Sequence, residues 1–343
     1  MLPSAQLVVD TAALVANWRA FAAAGGSAAT GAAIKADGYG LGAVPVLHAL
    51  ARAGLRDAFV AHWAEVAALG PIPDGVSVAV LHGVGLGEMA TALASPARPV
   101  LVTPAQVAAW RDTGRPCDVM VDTGLNRLGL TPAEAVSGLL DGLAIDTLHS
   151  HLACAEDPHH PSNEAQRAAF AALVPRLAAG RHALANSSGI VLGPDYCFDL
   201  TRPGIGLYGG GAGPGGVALQ AVVRMAAPVI QLRDVGVGGA VGYGATFVAA
   251  RPTRVAIVAL GYADGYPRGA SGQGRAMVDG VACPQVGRVA MDLTAFDVTD
   301  AAEVVEGMMI DIAFDLGALS AASGRSEYEL LTGLGRRYGR IYR

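Results

Sequence analysis

The chain has 343 residues, of which 52% are hydrophobic and 15% charged, so there is ample material for a large core and a length that suggests about two domains. A formal net charge of -5 provides no basic surface for nucleic acid or an anionic membrane, and the expected partner is a small molecule or a second copy of the chain. Cys117, Cys154, Cys197 and Cys283 show neither metal-type nor redox-pair spacing, the start Met1 to Gln6 carries no basic segment leading into an apolar core, and no apolar run is long enough to span a membrane; a cytoplasmic protein with reduced thiols and no metal is expected.

In chain order, Asp10 is placed to cap a helix that runs to Ala24 and is closed by Gly25-Gly26. Short β-rich runs then alternate with alanine-rich helical stretches. The runs are Gly31 to Lys35, Asp57 to Ala61, Ser77 to His82, Arg98 to Thr103, Asp118 to Asp122, Ile145 to His151, His182 to Ser187 and Phe198 to Thr201. Thr103-Pro104 and Thr131-Pro132 each place a capping residue before a proline suited to the first helical position, and Ser162 to Gly180 reads as the longest helix. About eight strand-helix units argue for an N-terminal (β/α)8 barrel of the TIM type, with an open doubly wound sheet as the alternative. The polar residues favour the barrel. Lys35, His151, Asn186-Ser187 and Arg202 fall at or just past the C-terminal ends of their strands, and Arg127 lies in the turn after the fifth, the face where barrels build active sites.

The composition breaks at Gly209 to Gly216. From Leu219 the helical pattern gives way to β-rich runs, Val222 to Leu232, Arg254 to Leu260, Ala276 to Val278 and Thr294 to Val298, followed by a basic, helix-like stretch from Glu327 to Arg340. The expected division is a barrel over residues 1–218, its first nine or so residues a candidate to pack with the second domain, and a mostly-β domain over 219–343.

Chemistry concentrates first at Ala33-Ile34-Lys35-Ala36-Asp37-Gly38-Tyr39-Gly40, where a lysine ends an apolar run and a glycine-punctuated turn follows. A strand-end lysine can simply snorkel to solvent; one disfavoured in its charged form by burial can act as a nucleophile or form an imine. The later stretches Asp122-Thr123-Gly124-Leu125-Asn126-Arg127-Leu128-Gly129, Ser150-His151-Leu152-Ala153, Asn186-Ser187-Ser188, Arg202-Pro203-Gly204-Ile205-Gly206-Leu207-Tyr208-Gly209, Val241 to Phe247, Gly261 to Tyr266 and Val286 to Asp292 complete an ordered set. In that order and over nearly its whole length, the chain resembles the alanine racemase family, pyridoxal-phosphate enzymes with an N-terminal barrel and a C-terminal β-domain.

The resemblance implies that Lys35 carries the cofactor, pyridoxal 5'-phosphate, as a covalent imine and then serves as one of two α-proton bases. Racemisation removes a proton from one face of a planar carbon and returns it to the other, so two acid/base groups on opposite faces are the economical solution. The second is Tyr243, which the resemblance assigns to the site of the other subunit in a homodimer; taken alone, Tyr243 reads equally as a core or turn aromatic. Arg202 would face the pyridine nitrogen, and as an obligate donor it would keep that nitrogen unprotonated and weaken the electron sink. Tyr39, Ser187, Gly204 and Ile205 would hold the phosphate, His151 would lie against the ring with Asn186 supporting it, and Arg127, the Met291 backbone and Tyr262 would contact or admit the substrate. The implied activity is interconversion of L- and D-alanine, supplying D-alanine for peptidoglycan. A broad-specificity or serine racemase shares every motif, an amino-acid decarboxylase of the same architecture fits Tyr243 and Met291-Asp292 less well, and a non-catalytic pyridoxal-phosphate carrier would lack the β-domain.

Two positions depart from the family. Where many relatives carry a lysine, often carbamylated, seven residues before the arginine, this chain has Met120, and a phosphate-binding tyrosine near the end aligns loosely with Arg336. A thioether cannot form a carbamate. Activity is therefore expected to be insensitive to carbon dioxide; an absolute bicarbonate requirement, read as turnover in degassed against bicarbonate-supplemented buffer, would refute this.

Overall fold

The computed structural model describes residues 4–301 and 303–343; Met1 to Pro3, part of the start read above, lie outside the described residues. The chain forms two compact units, residues 14–220 and the residues up to Ala13 together with Ala221–Arg343.

In the first unit, parallel strands run in sequence order from Ala32–Ala33 through Asp57–Val60, Ser77–Val80, Arg98–Leu101, Cys117–Met120 and Ile145–His149 to Arg181–Ala183, each bonded to the next. The eighth run closes the ring. Leu200–Thr201 pairs with Ala29–Thr30, while Asp199 donates its backbone N–H to His182 O at 3.0 Å and Arg202 to Ala185 O at 2.8 Å. Closure excludes the open doubly wound sheet.

Gly31 is where the first strand changes partners, and only a glycine fits. A Cβ there would stand 2.7 Å from the Phe59 ring and 2.8 Å from Asp57 O. Because side chains alternate across a strand, residues in step with Gly31 point inward and stack in layers. The middle layer is apolar, built from Phe59, Ala79, Val100, Val102, Met120, Ala183 and Leu200. Below it lies a charged floor of Asp57, Arg98, Asp118 and Arg181, and above it Lys35, His151 and Arg202 reach the C-terminal mouth.

Helices match the sequence signals where caps are explicit. Asp10 Oδ1 accepts from Ala13 N–H at 2.9 Å at the start of Thr11–Ala24, Thr103 caps Pro104–Arg111, and Thr131 caps Pro132–Ala135. The long helix is shorter than its pattern. It spans Pro161–Leu173 and tightens into a 3-10 turn, Val174–Arg176, because Pro175 has no N–H to continue the ladder.

The second unit is a closed antiparallel barrel. The long strand Val223–Val235 pairs with Thr253–Val258 and Met309–Ile312; Thr253–Val258 continues through Thr294–Asp297, Val281–Val286 and Arg275–Val278 back to Met309–Ile312. Gln6–Val9 pairs antiparallel with Val223–Ala226 and parallel with Gly339–Tyr342. That last strand corrects the expected helical stretch from Glu327 to Arg340: helix occupies only Glu327–Thr332, Gly333 and Gly335 interrupt it, and the basic end becomes an edge strand.

The packing at Gly31 yields a stability prediction. Gly31→Ala is expected to lower the unfolding free energy by about 1–3 kcal/mol through overpacking against Phe59, read as a lower urea midpoint; an unchanged midpoint would contradict the close approach.

Candidate active site

Lys35 opens a stretch whose geometry the sequence did not announce. Ala36, Asp37, Gly38, Tyr39 and Gly40 have φ of 52°, 53°, 61°, 55° and 82°, a left-handed turn in which three of the five residues carry a Cβ. Left-handed conformation costs roughly 1–2 kcal/mol per non-glycine residue, so the surroundings must over-determine it. They do. Gly38 N–H bonds Ile34 O and Gly40 N–H bonds Ala36 O, both at 2.8 Å; Asp37 accepts Gly42 N–H on its carbonyl and Ala43 N–H on Oδ1, again at 2.8 Å. Glu65 reaches across from the next unit of the barrel, accepting Ala36 N–H on Oε1 at 2.6 Å and Ala61 N–H on Oε2 at 2.5 Å. The Tyr39 ring is buried and stacks on Tyr208 at 4.6 Å between centroids, and Tyr208 in turn donates to Ala33 O at 3.0 Å.

Asp37 and Glu65 are thus site residues that sequence reasoning missed. Glu65 carried a signal, three residues after His62 at a helix start, but that pattern announces a cap and says nothing of Ala36.

The half-buried Lys35 amine is held below its ordinary basicity, first by burial and next by Arg127; Glu65 opposes this, and Arg202 adds a weaker push in the same direction as Arg127. Arg202 is fully enclosed. Its guanidinium donates to Ser150 O at 2.7 Å and meets His149 Nδ1 at 3.1 Å, and burial brings it down to about 10 although Asp118 works in the other direction. His151 is pushed down to about 3 by burial and by Arg202, Arg127 and Lys35, so its imidazole is neutral at physiological pH. Its strand end is fixed by Gln166, which donates to His151 O at 3.0 Å and accepts from Ala153 N–H at 2.9 Å.

Ser187, Gly204 and Tyr39 converge. Ser187 Oγ accepts from Gly204 N–H at 2.9 Å and Gly206 N–H at 3.2 Å, and a Cβ at Gly204 would stand 2.3 Å from the Tyr39 hydroxyl. Ile205 begins the 3-10 turn Ile205–Tyr208 beside them. Two hydroxyls and a run of backbone N–H groups around a glycine make an anion cradle, and with the amine, the neutral imidazole and the buried guanidinium on the same barrel face the donor set fits a phosphate-bearing aldehyde. Asn186 Oδ1 caps the helix Ser187–Val191, accepting Gly189 N–H at 2.8 Å.

Arg127 is exposed, on a loop whose backbone is fixed by Asp122: Oδ1 accepts Gly124 N–H and Oδ2 accepts Arg127 N–H, each at 2.8 Å. Burial alone would raise that carboxyl, but the N–H donors of Gly124, Asn126, Arg127 and Leu125 hold it below the usual range. Met120 is buried in the apolar middle layer, where its thioether fills the barrel core.

The remaining expected residues lie in the β-domain. Tyr243, Met291 and Tyr262 are 73%, 54% and 39% exposed. Tyr262 and Met291 belong to one backbone assembly, Tyr262 N–H bonding Ala290 O at 3.0 Å and Ala263 N–H bonding Met291 O at 2.9 Å, with Arg337 tying Asp264 to Asp292. Gly242, beside Tyr243, approaches Arg288 closely enough that a Cβ would meet its backbone N at 3.4 Å. Arg336 is exposed in the loop after Glu327–Thr332.

A barrel with a lysine, an anion cradle and a buried arginine at its C-terminal mouth, followed by a β-domain, defines a class of two-domain enzymes that work on a phosphorylated aldehyde cofactor. Residues 9–212 match the family described as alanine racemase, N-terminal domain, and residues 222–342 match alanine racemase, C-terminal domain. The alanine racemases of Acidiphilium cryptum and Rhizobium meliloti are each 42% identical, over 98% and 99% of this chain and 98% and 97% of theirs. Among solved structures, alanine racemase from Bartonella henselae with covalently bound pyridoxal phosphate is 34% identical, covering 99% of both chains with a TM-score of 0.89. The biosynthetic alanine racemase of Pseudomonas aeruginosa is 32% identical over the full length of both chains, with a TM-score of 0.87. The chain belongs to the alanine racemase family.

The state of His151 sets a pH dependence. Its folded basicity lies below the ordinary value of 6.5, so the unfolded chain binds the proton more readily; the stability this represents is complete above pH 6.5 and is lost as pH falls from there toward about 3. His151→Gln is expected to flatten the acid limb of a plot of unfolding midpoint against pH below 6.5, and an equally steep limb in the variant would contradict the assignment.

Proposed function

We propose that the chain is a pyridoxal-phosphate-dependent alanine racemase that interconverts L- and D-alanine and acts as a cytoplasmic homodimer. Family membership over both domains supports the activity, and the single observation that carries the reading is Lys35, an amine of lowered basicity facing Arg202, Arg127 and His151 at the barrel mouth. Among the described residues no helix is long and apolar enough to cross a membrane.

Pyridoxal phosphate, when bound, supplies the electron-withdrawing ring that makes the α-proton of an amino acid removable. The protein's residues do the rest. Tyr39, Ser187 and the N–H groups of Gly204 and Ile205 would hold the phosphate, the Gly204 N–H by exchanging its bond to Ser187 Oγ for one to the anion. Lys35 would hold the cofactor covalently and, as a free amine, would take or return the proton on one face of the α-carbon. Its lowered basicity helps here, because a base must be unprotonated to act near neutral pH. The partner subunit's Tyr243 serves the opposite face; its high exposure in a single chain is what a residue completing another subunit's site needs. Arg202 donates to the ring nitrogen and, having no proton it gives up readily, restrains the electron sink. Arg127 receives the substrate carboxylate, a charge-assisted contact of the order of 1.5–3 kcal/mol; the Met291 backbone is assigned to the same carboxylate and Tyr262 to the entrance. His151, neutral, lies against the ring without adding charge. The division of labour follows the domains: barrel residues hold the cofactor and one base, and the β-domain supplies the other.

Purified protein is expected to be yellow and Lys35→Ala to lose the visible band together with turnover. In deuterated water the α-proton should exchange from both enantiomers of alanine, and bound cofactor without exchange would favour a carrier. Tyr243→Phe should slow one direction of proton removal by orders of magnitude and with it the whole reaction; near-normal racemisation would remove Tyr243 from the mechanism. Alanine compared with serine as substrate fixes the specificity.

A further inference from the structure

A connected set of charged and hydrogen-bonded side chains climbs the inside of the barrel from its floor to Arg202, and the proposed function uses only its top. At the floor Arg181 grips Asp57 at 2.8 and 3.0 Å and Asp146 at 2.8 Å. Asp146 also accepts from Arg98 at 2.8 Å, and Arg98 Nε reaches Asp118 Oδ1 at 3.3 Å. Asp118 Oδ2 meets His149 Nε2 at 3.2 Å, and His149 Nδ1 meets Arg202 at 3.1 Å. Asp118 and His149 are fully buried, and the edge-on ring of Phe59, 5.9 Å away between centroids, walls His149 on the apolar side.

The donor and acceptor inventory leaves one arrangement. A guanidinium only donates, so His149 Nδ1 must be a bare acceptor toward Arg202; an ionised carboxylate only accepts, so Nε2 must carry the hydrogen toward Asp118. A second proton on Nδ1 would face an Arg202 N–H head-on. We propose that Asp118 and His149 are positioning residues for racemisation, fixing Arg202 as a donor to the cofactor's ring nitrogen through an imidazole locked neutral in its Nε2–H tautomer. This rests on the reading of Arg202 given above. The inventory of groups facing His149 is Asp118 and Arg98 from below, Arg202 from above and His151 two residues on, and burial together with the two arginines opposes a second proton against the pull of Asp118. Arg98 Nε holds the Asp118 carboxyl in place, and the floor pairs anchor Arg98. The guanidinium is therefore aimed by the barrel rather than by the ligand, with one N–H spent on His149, two on the carbonyls of Ser150 and Leu184, and the others left for the site.

Nitrogen NMR of histidine-labelled holoenzyme tests the tautomer directly: His149 is expected to show a protonated Nε2 and an unprotonated Nδ1, unchanged from about pH 6 to about pH 9. A proton on Nδ1, or titration in that range, overturns the proposal without any variant. Asp118→Asn keeps the shape and an acceptor but removes the charge. It should lower kcat about tenfold or more, change KM less than about twofold, and alter the pH dependence of the bound cofactor's visible band. A fall in unfolding midpoint with kcat and band unchanged would show the pair to be barrel filling only. Arg202→Gln separates the two layers of the claim: no effect on band or turnover removes Arg202 from the ring nitrogen, whereas an effect there with none in Asp118→Asn or His149→Phe removes the positioning role alone.

Discussion

The physical constraint on which this molecule depends is the gathering of three cationic groups, Lys35, Arg127 and Arg202, at one end of a barrel that largely excludes water from one of them. Arg202 is buried outright, and its charge is tolerated because carbonyl oxygens, His149 and the carboxylate of Asp118 beneath it satisfy its donors and supply the compensating field. Burial first, and then the accumulated positive charge, lowers the basicity of Lys35 and His151, and the same charge leaves a field into which an anion enters favourably. A phosphate and a carboxylate are the two anions the proposed reaction brings. The electrostatic cost of assembling the site and its capacity to bind are one property.

Placing the amine in that field requires a backbone that no ordinary turn supplies. Lys35 ends its strand and the chain then reverses through consecutive left-handed residues, a conformation that Ala36, Asp37 and Tyr39 resist individually. The carboxylates of Asp37 and Glu65 and the packing of Tyr39 on Tyr208 outweigh that resistance. The same turn delivers the Tyr39 hydroxyl to Gly204, so the element that orients the amine also builds one wall of the anion cradle. Strain at this point is what brings the two functions within reach of each other.

Arg127 is arranged differently. With Met120 committed to the apolar middle layer, the barrel interior offers Arg127 no polar support from that position. Asp122 instead fixes the loop backbone through its N–H groups and leaves the side chain exposed. The β-domain likewise exposes Tyr243, Tyr262 and Met291 in turns between its strands, and Arg337 bridges Asp264 and Asp292 next to the last two.

The sequence by itself determined the alternation of strand and helix, the caps at Asp10, Thr103 and Thr131, the placement of Lys35, His151 and Arg202 at strand ends, and the family, because these are matters of local period, local chemistry and motif order. It could not show that Glu65 holds Ala36, that Asp118 and His149 stand behind Arg202, or that the last basic stretch becomes a strand beside Gln6–Val9. Each of those joins residues distant in sequence, or settles a competition between helix and sheet by a partner elsewhere in the chain. A carboxylate in a row of letters has no direction. Only barrel closure, which turns every second residue inward and stacks side chains from different strands in layers, decided which charges meet and how acidic or basic they become.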